Sequence, residues 1–178
     1  MNSIDKNQQE ENYKDVYSLE AGERIKEMAE SAKTCFFCTR TASGDSLGVR
    51  PMSIQKADED GTLWFLSAKD SHKNQEIIIN PEVKLYFQGS PHSDFMYLAG
   101  TAEITDDKDI IGELWEPIAK AWFTEGENDP RISAIKVTPD TGFYWDNKHG
   151  NLIAGSKMLI GAMLGKTLDD SIQGKIKV

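Results

Sequence analysis

The sequence predicts a mainly β protein: a small antiparallel β-barrel with flanking helices. Three features of the chain carry that prediction. Short runs rich in β-branched and aromatic residues recur through its middle, as half-buried strands require. Turn formers such as Ala42-Ser43-Gly44-Asp45 and Asp58-Glu59-Asp60-Gly61 separate neighbouring runs at hairpin spacing. Helical periodicity is brief and falls at the margins of these runs, and about six hairpin-linked strands of this kind are enough to curl into a small barrel.

The elements follow in order. Residues 1–17 are rich in Asn, Gln, Lys and Glu with little apolar content, which favours a mobile tail that orders only on docking. From Ser18, a helix-capping residue type, to residue 33, the positions Ile25, Met28, Ala29 and Ala32 recur at helical spacing, so one face can pack on a core. Strand-like runs occupy 35–41, 47–57 and 62–68. Residues 71–80 read as a brief helix: Asp70 or Ser71 can cap it, Ile77-Ile78-Ile79 supplies an apolar face, and Asn80-Pro81 ends it. Strands follow at 83–89 and 95–104, then a helical stretch at 106–121 with a break near Pro117. Residues 132–145 read as two strands, or one strand bent around Pro139-Asp140. A last helix at 156–164 and a strand at 175–178 form a C-terminal extension. With no repeat or low-complexity linker, residues 18–178 make a single domain.

Charge narrows the function. The chain has 178 residues and a formal net charge of -9, which argues against nucleic acid or an anionic membrane as a main partner, since either demands a broad cationic surface. An anion site must therefore be local. No apolar run is long enough for a membrane span, and the first twelve residues lack the layout of a signal peptide; the expectation is a cytoplasmic protein. The two cysteines, Cys35 and Cys38, lie in a short aromatic and Thr-rich run. In a strand an offset of three sends their sulfurs to opposite faces, so neither a metal site nor a dithiol is expected. His92 and His149 fall in polar, turn-like segments without a visible partner, so no catalytic residue is assigned. Trp115, Ile118 and Trp122 share a helical stripe, which is more often a packing pattern than a ligand platform or a subunit contact.

One neighbourhood carries chemistry. The apolar strand ending Phe65-Leu66-Ser67 runs into a helix that opens Ser71-His72-Lys73, and Arg50-Pro51-Met52 lies on the preceding strand. A phosphate monoester needs both charge compensation and fixed donors. Arg50 offers a fork, Lys73 a point charge, Ser67 and Ser71 hydroxyls, and the helix start its unpaired amides. The alternative is a capped surface helix with solvated lysines.

The order Arg50-Pro51-Met52, a turn, Phe65-Leu66-Ser67, then Ser71-His72-Lys73 before Asn80-Pro81 is similar to the FMN-binding region of the pyridoxamine 5'-phosphate oxidase-like split barrels. The run 83–87, the segment Tyr97-Leu98-Ala99-Gly100-Thr101-Ala102-Glu103 and the segment Thr-Pro-Asp-Thr-Gly-Phe-Tyr-Trp at 138–145 continue the resemblance, which covers about 18–168 and points to the general stress protein group. It implies a homodimer of six-stranded antiparallel split barrels with FMN, or FAD as the alternative flavin, in grooves at the subunit interface. By that pattern Arg50, Ser71, His72 and Lys73 surround the phosphate with Ser67 beside them. Pro51, Met52, Ser53, Phe65 and Leu66 then lie along the ribityl chain and ring. Trp145 approaches the flavin, or serves instead as a core or interface aromatic.

Departures from the oxidase pattern bear on the substrate. The lysine five residues after the arginine is Gln55 here, the late Arg-x-His motif has no counterpart in Asp146-Asn147-Lys148-His149-Gly150, and a glutamine that reaches the flavin is replaced by Phe95. Vitamin B6 oxidation is therefore not expected. The resemblance implies either a flavin-dependent oxidoreductase with a small-molecule redox partner, or a flavin-binding or flavin-sensing protein of stress physiology without turnover. Another superfamily ligand, haem or a deazaflavin, is a third reading.

Overall fold

A computed structural model describes residues 12–41, 47–90, 94–147 and 171–178. The turn expected at 42–45, His92, His149 and the helix expected at 156–164 lie outside the described residues. The protein is mainly β. Its elements are β1 (Val16–Tyr17), α1 (Ser18–Ala32), β2 (Thr34–Arg40), β3 (Leu47–Ser53), β4 (Lys56–Ala57), β5 (Leu63–Ala68) and α2 (His72–Ile79). Then come β6 (Glu82–Gln88), β7 (Phe95–Thr105), α3 (Lys108–Leu114), two 3-10 turns (Pro117–Ala121 and Gly126–Asn128), β8 (Ile132–Asn147) and β9 (Ser171–Lys177).

The nine strands form one open, mixed sheet in the order β1-β9-β8-β7-β6-β2-β3, with β5 joined to β8 and β4 to β5 off that path. This differs from the six-stranded antiparallel barrel expected. The reason is the 16-residue length of β8. Its first part pairs with β5 from Ala68↔Ile132 to Leu63↔Val137, its second pairs with β9 from Thr141↔Lys177 to Asn147↔Ser171, and β7 covers its other edge. One edge of β8 thus serves two partners, and the sheet branches where a barrel would close. β8 stays continuous around Pro139 because Asp140 is a bulge: Ala99 opposes Thr141 while Gly100 opposes Pro139. A proline lacks the ladder donor and is tolerated at such a site. Gly100 is required there, since a Cβ would stand 2.3 Å from the Thr138 carbonyl oxygen.

Strand alternation builds the core. On β2, Cys35 and Phe37 point inward while Phe36 faces out. Phe37 meets Phe65 of β5 edge to face at 5.2 Å. Leu85, Leu98, Val137 and Ile25 of α1 close around them. Both cysteines are buried free thiols, and burial pushes the Cys35 thiol up to about 12, which leaves it inert. A second cluster packs α3 and the following turn onto the opposite face of β5 and β8 through Ile111, Leu114, Phe123 and Ile132, against Leu66.

Three local expectations need correction. Residues 12–17 do not hang free: Val16 is buried, β1 pairs in parallel with β9, and the Tyr144 hydroxyl donates to the Lys14 carbonyl at 2.8 Å. Polar composition hid a segment that gains its order from main-chain pairing. The cap of α1 is Tyr17 and not Ser18. Of the three isoleucines of α2 only Ile77 is buried, while Ile78 and Ile79 are exposed, because Asn74 and Glu76 fill much of the inner face of that helix.

Candidate functional site

Strand β5 presents alternate residues to opposite sides. Leu63, Phe65 and Ser67 are buried on one side, and Trp64, Leu66 and Ala68 are half-buried on the other. Leu66, Ala68 and Ser67 at the strand end form one wall of a cleft of about 770 Å³, and Pro51, Met52, Ser53, Ile54 and Gln55 form another. The arm after α3 supplies the opposing side with Ile118, Ala119, Trp122 and Phe123, while Lys33, Lys73 and Arg131 bring cations to the rim.

The polar end of this cleft is a tight network. Ser71 caps α2. The Ser67 and Ser71 hydroxyls both donate to Asn74 Oδ1, at 2.7 and 3.2 Å, and stand 3.2 Å from each other. Asn74 Nδ2 donates to Ser133 Oγ at 2.8 Å, and Ser133 Oγ donates in turn to the Ser67 carbonyl at 3.1 Å. Asn74 and Ser133 are almost wholly buried, so a broken link here would leave an unpaid polar group. Both serine hydroxyls are engaged within this network, and one turned toward a ligand gives up its bond to Asn74. The remaining outward donors are Lys73 Nζ, which reaches Ser71 Oγ at 3.4 Å, and the opening amides of α2, which have no intrahelical acceptor.

Arg50 stands beside this end. Its Nη1 and Nη2 both donate to Glu76 Oε2 at 3.0 and 2.9 Å, and the same oxygen accepts from Thr39 Oγ1 at 2.5 Å. Arg50 lies across Gly48, where a Cβ would stand 1.9 Å from Nη2. Burial pushes the Glu76 carboxyl up, but the hydrogen bonds from Thr39 and Arg50 more than offset it, so it sits below its ordinary range. Burial, then the charge of Arg50, holds the Lys73 ammonium below its ordinary value. Lys73 has no carboxylate within ion-pair reach among the described residues. Two neighbouring cations, one of them partly desolvated, are stabilised by an anion between them. Gln55 adds a buried Oε1 on the cleft wall with no donor among the described residues. The donor set and this acceptor fit a phosphate-bearing ligand with hydrogen-bonding groups along its length.

Of the sequence-predicted residues, Pro51, Met52, Ser53, Leu66, Ser67 and Lys73 line the one cleft. Ser71 joins through the hydroxyl network; Arg50 stands outside the cleft lining, paired with Glu76, with its charge felt at Lys73; and His72 is exposed on the first turn of α2. Two residues lie elsewhere. Phe65 is fully buried and its ring belongs to the core, because it sits one residue out of phase with Leu66. Trp145, 45% exposed, lines a separate groove of about 630 Å³ with Phe36, Tyr86, Phe95 and Tyr97. The grooves share Thr34 and Pro51 at their margins. Sequence reasoning missed Asn74, Glu76 and Ser133, and it read the Trp122 arm first as packing. Asn74 had a local signal, three residues after the capping Ser71; Ser133 and Glu76 had none, since their partners are distant in sequence.

Comparison with known proteins bears on the family and the fold. Residues 20–169 match the model of the family described as pyridoxamine 5'-phosphate oxidase like. The protein bli-3 of Neurospora crassa is 28% identical over 123 residues, covering 64% of this chain and 59% of that protein, so the chain spans about three fifths of this relative. The crystal structure of general stress protein 26 from Bacillus anthracis superposes with a TM-score of 0.60 at 24% identity over 69% of this chain and 92% of that one. A protein of Xanthomonas citri described as a general stress FMN/FAD binding protein gives 0.59 at 22% identity, over 69% and 86%. The chain belongs to the pyridoxamine 5'-phosphate oxidase-like family.

Proposed function

We propose that the protein binds FMN in the cleft between β3, β5 and the Trp122 arm, with the phosphate at Lys73, Arg50 and the start of α2, and that it works as a flavin-dependent oxidoreductase. The observation that carries this reading is the continuity of an apolar-walled cleft with an anion-attracting end, at Met52 and Leu66 on one side and Lys73 on the other. A flavin supplies hydride and electron transfer when bound. The protein's own residues would hold its phosphate, wall its ring with Met52, Leu66 and Trp122, and offer the Gln55 acceptor. FAD is the alternative flavin. A small-molecule redox partner would then meet the open side of the cleft.

The active form on this reading is a cytoplasmic homodimer. Support comes from the outer face of the sheet, where Pro51, Phe36, Tyr86, Tyr97 and Phe143 stand in register across five strands. Phe36 is 57% exposed, and an aromatic row of this extent on a sheet face favours burial by a second copy. Among the described residues no helix is long and apolar enough to cross a membrane.

The test is the visible spectrum of the purified protein, followed by release and identification of the chromophore. A flavin spectrum with FMN released is expected; a colourless protein that takes up no added FMN or FAD overturns the reading. Reduction by nicotinamide nucleotides and reoxidation by small acceptors should then proceed with turnover, and binding without turnover would favour a flavin-binding protein instead.

A further inference from the structure

We propose that Arg131 is a further phosphate-binding residue of the cleft, presenting an unoccupied guanidinium fork to the flavin phosphate while the buried Asp129 holds it in place; this rests on the flavin reading above. Arg131 lines the cleft together with Ser67, Ala68 and Lys73. Its carbonyl accepts the Lys69 N–H at 2.8 Å, and the Ser71 N–H donates to the Ala68 carbonyl at 3.0 Å, so Arg131 and the start of α2 flank the same end of β5. The charge of Asp70, one residue before the α2 cap, acts on Arg131.

The two guanidinium groups near this end differ in which edge is taken. A guanidinium carries its N–H donors in a planar fork, with a side edge made by Nε and one Nη and an end edge made by the two Nη groups. Arg50 gives Nη1 and Nη2 to Glu76 Oε2, so its end edge is occupied. Arg131 instead gives Nε to Asp129 Oδ1 at 2.9 Å and Nη2 to Asp129 Oδ2 at 2.6 Å. That is its side edge, and Nη1 with the second Nη2 hydrogen has no partner among the described residues. Asp129 is fully buried while the Arg131 side chain is 51% exposed, so the anchored edge is shielded and the rest of the group is open to a ligand. The anchor is itself locked: Asp129 Oδ1 also accepts the Arg131 N–H at 3.0 Å, and the Asp129 carbonyl accepts the Ile132 N–H at 3.1 Å. Arg131 and Asp129 together carry no net charge. They supply oriented donors, while Lys73 and the opening amides of α2 supply the attraction for an anion. Lys33, the other cation of the lining, enters at the C-cap of α1 beside Ile54. A fork fixed before the ligand arrives loses little side-chain freedom on contact, which favours two parallel bonds to phosphate oxygens.

The experiment is flavin binding to the full chain, followed by fluorescence quenching, with FMN and riboflavin as probes that differ only in the phosphate. Arg131→Gln should lower the ratio of FMN to riboflavin affinity by about tenfold, as expected for loss of one charge-assisted contact. Arg131→Lys keeps the charge without the fork and should recover only a minor part of that loss. Because Arg131→Gln leaves the Asp129 carboxylate buried without its partner, the double variant Arg131→Gln with Asp129→Asn keeps the proposal testable if the single variant folds poorly. It exchanges one pair without net charge for another, so its ratio should fall as in the single variant, through loss of the fork and not of local charge. A ratio unchanged in the double variant, or equal losses for FMN and riboflavin, overturns the proposal and marks the Asp129–Arg131 pair as a lock on its turn alone. Full recovery in Arg131→Lys overturns it too, since charge without the fork would then suffice. Wild-type protein that binds FMN would leave the flavin reading standing in each of these cases, whereas wild-type protein that binds neither probe would remove both.

Discussion

The cleft beside β5 and the groove on the outer face of β2, β6 and β7 meet at Thr34 and Pro51, yet they are built on opposite principles. The cleft ends in a network in which Ser67, Ser71, Asn74 and Ser133 satisfy one another and a buried carboxylate holds Arg50. The groove is a row of aromatics, Phe36, Tyr86 and Trp145 exposed and Tyr97 half-buried, with Tyr86 and Tyr97 in contact at 5.3 Å. A polar site must be preorganised inside one chain, because each unmatched buried group is costly. An apolar face needs no such assembly and can wait for a partner to dry it. The difference separates a ligand end, fixed by the chain itself, from a surface whose partner is a second copy on the reading proposed above.

The largest effect expected is on that surface. Phe36→Glu combined with Tyr86→Glu should convert the dimer to a monomer, read by sedimentation, because two charges would be buried without partners. A wild-type chain that already sediments as a monomer breaks the comparison. Next, Arg50→Ala should weaken FMN by roughly 10- to 100-fold while riboflavin changes by less than about threefold, as loss of a charge-assisted contact requires. Equal losses would mean that the phosphate lies elsewhere.

Smaller effects probe the network. Asn74→Ala strands two hydroxyls and Ser133, and should cost about 1–3 kcal/mol of stability in a denaturant titration; a neutral substitution would show that the network is not structural. Ser71→Ala removes the α2 cap and should cost about 1 kcal/mol. The smallest effect is a pH dependence. Hydrogen bonds from Arg131 hold the Asp129 carboxyl down at about 2, and Glu76 also lies below its ordinary value, its hydrogen bonds outweighing burial. A carboxyl depressed in the folded state binds fewer protons there than in the unfolded chain. The stability it contributes is therefore complete above the ordinary carboxylate range and is lost as the pH falls through that range toward about 2. Thermal melts should be flat from neutrality to about pH 5 and then fall, and Asp129→Asn should flatten the fall.

Much of this was legible in the chain because it depends on neighbours in sequence. Alternation placed β2, β5, β6 and β7 within a residue or two of where they lie, and the Ser71 cap and the Asn80-Pro81 stop bounded α2. The same local logic gathered Met52, Ser53, Leu66, Ser67 and Lys73, which do share a cleft. It failed where period alone cannot say which side of a strand faces the core: Phe65 and Leu66 are adjacent and both apolar, and only packing against Phe37 decided that Phe65 goes inward. It failed also for residues 12–17, whose order comes from main-chain pairing that side-chain composition does not report.

The sequence by itself determined the mainly β character, the strand and helix order and the cluster of cations and hydroxyls around residues 50–73, because these follow from side-chain period, capping and charge. Tertiary structure decided the rest. The length of β8 lets one strand join β5, β7 and β9 and leaves the sheet open. The fold brings Thr39, Arg50 and Glu76 to a single carboxylate oxygen and carries Trp145 to another face. Such contacts join residues far apart in the chain, and their energies exist only once the intervening chain has been folded around them.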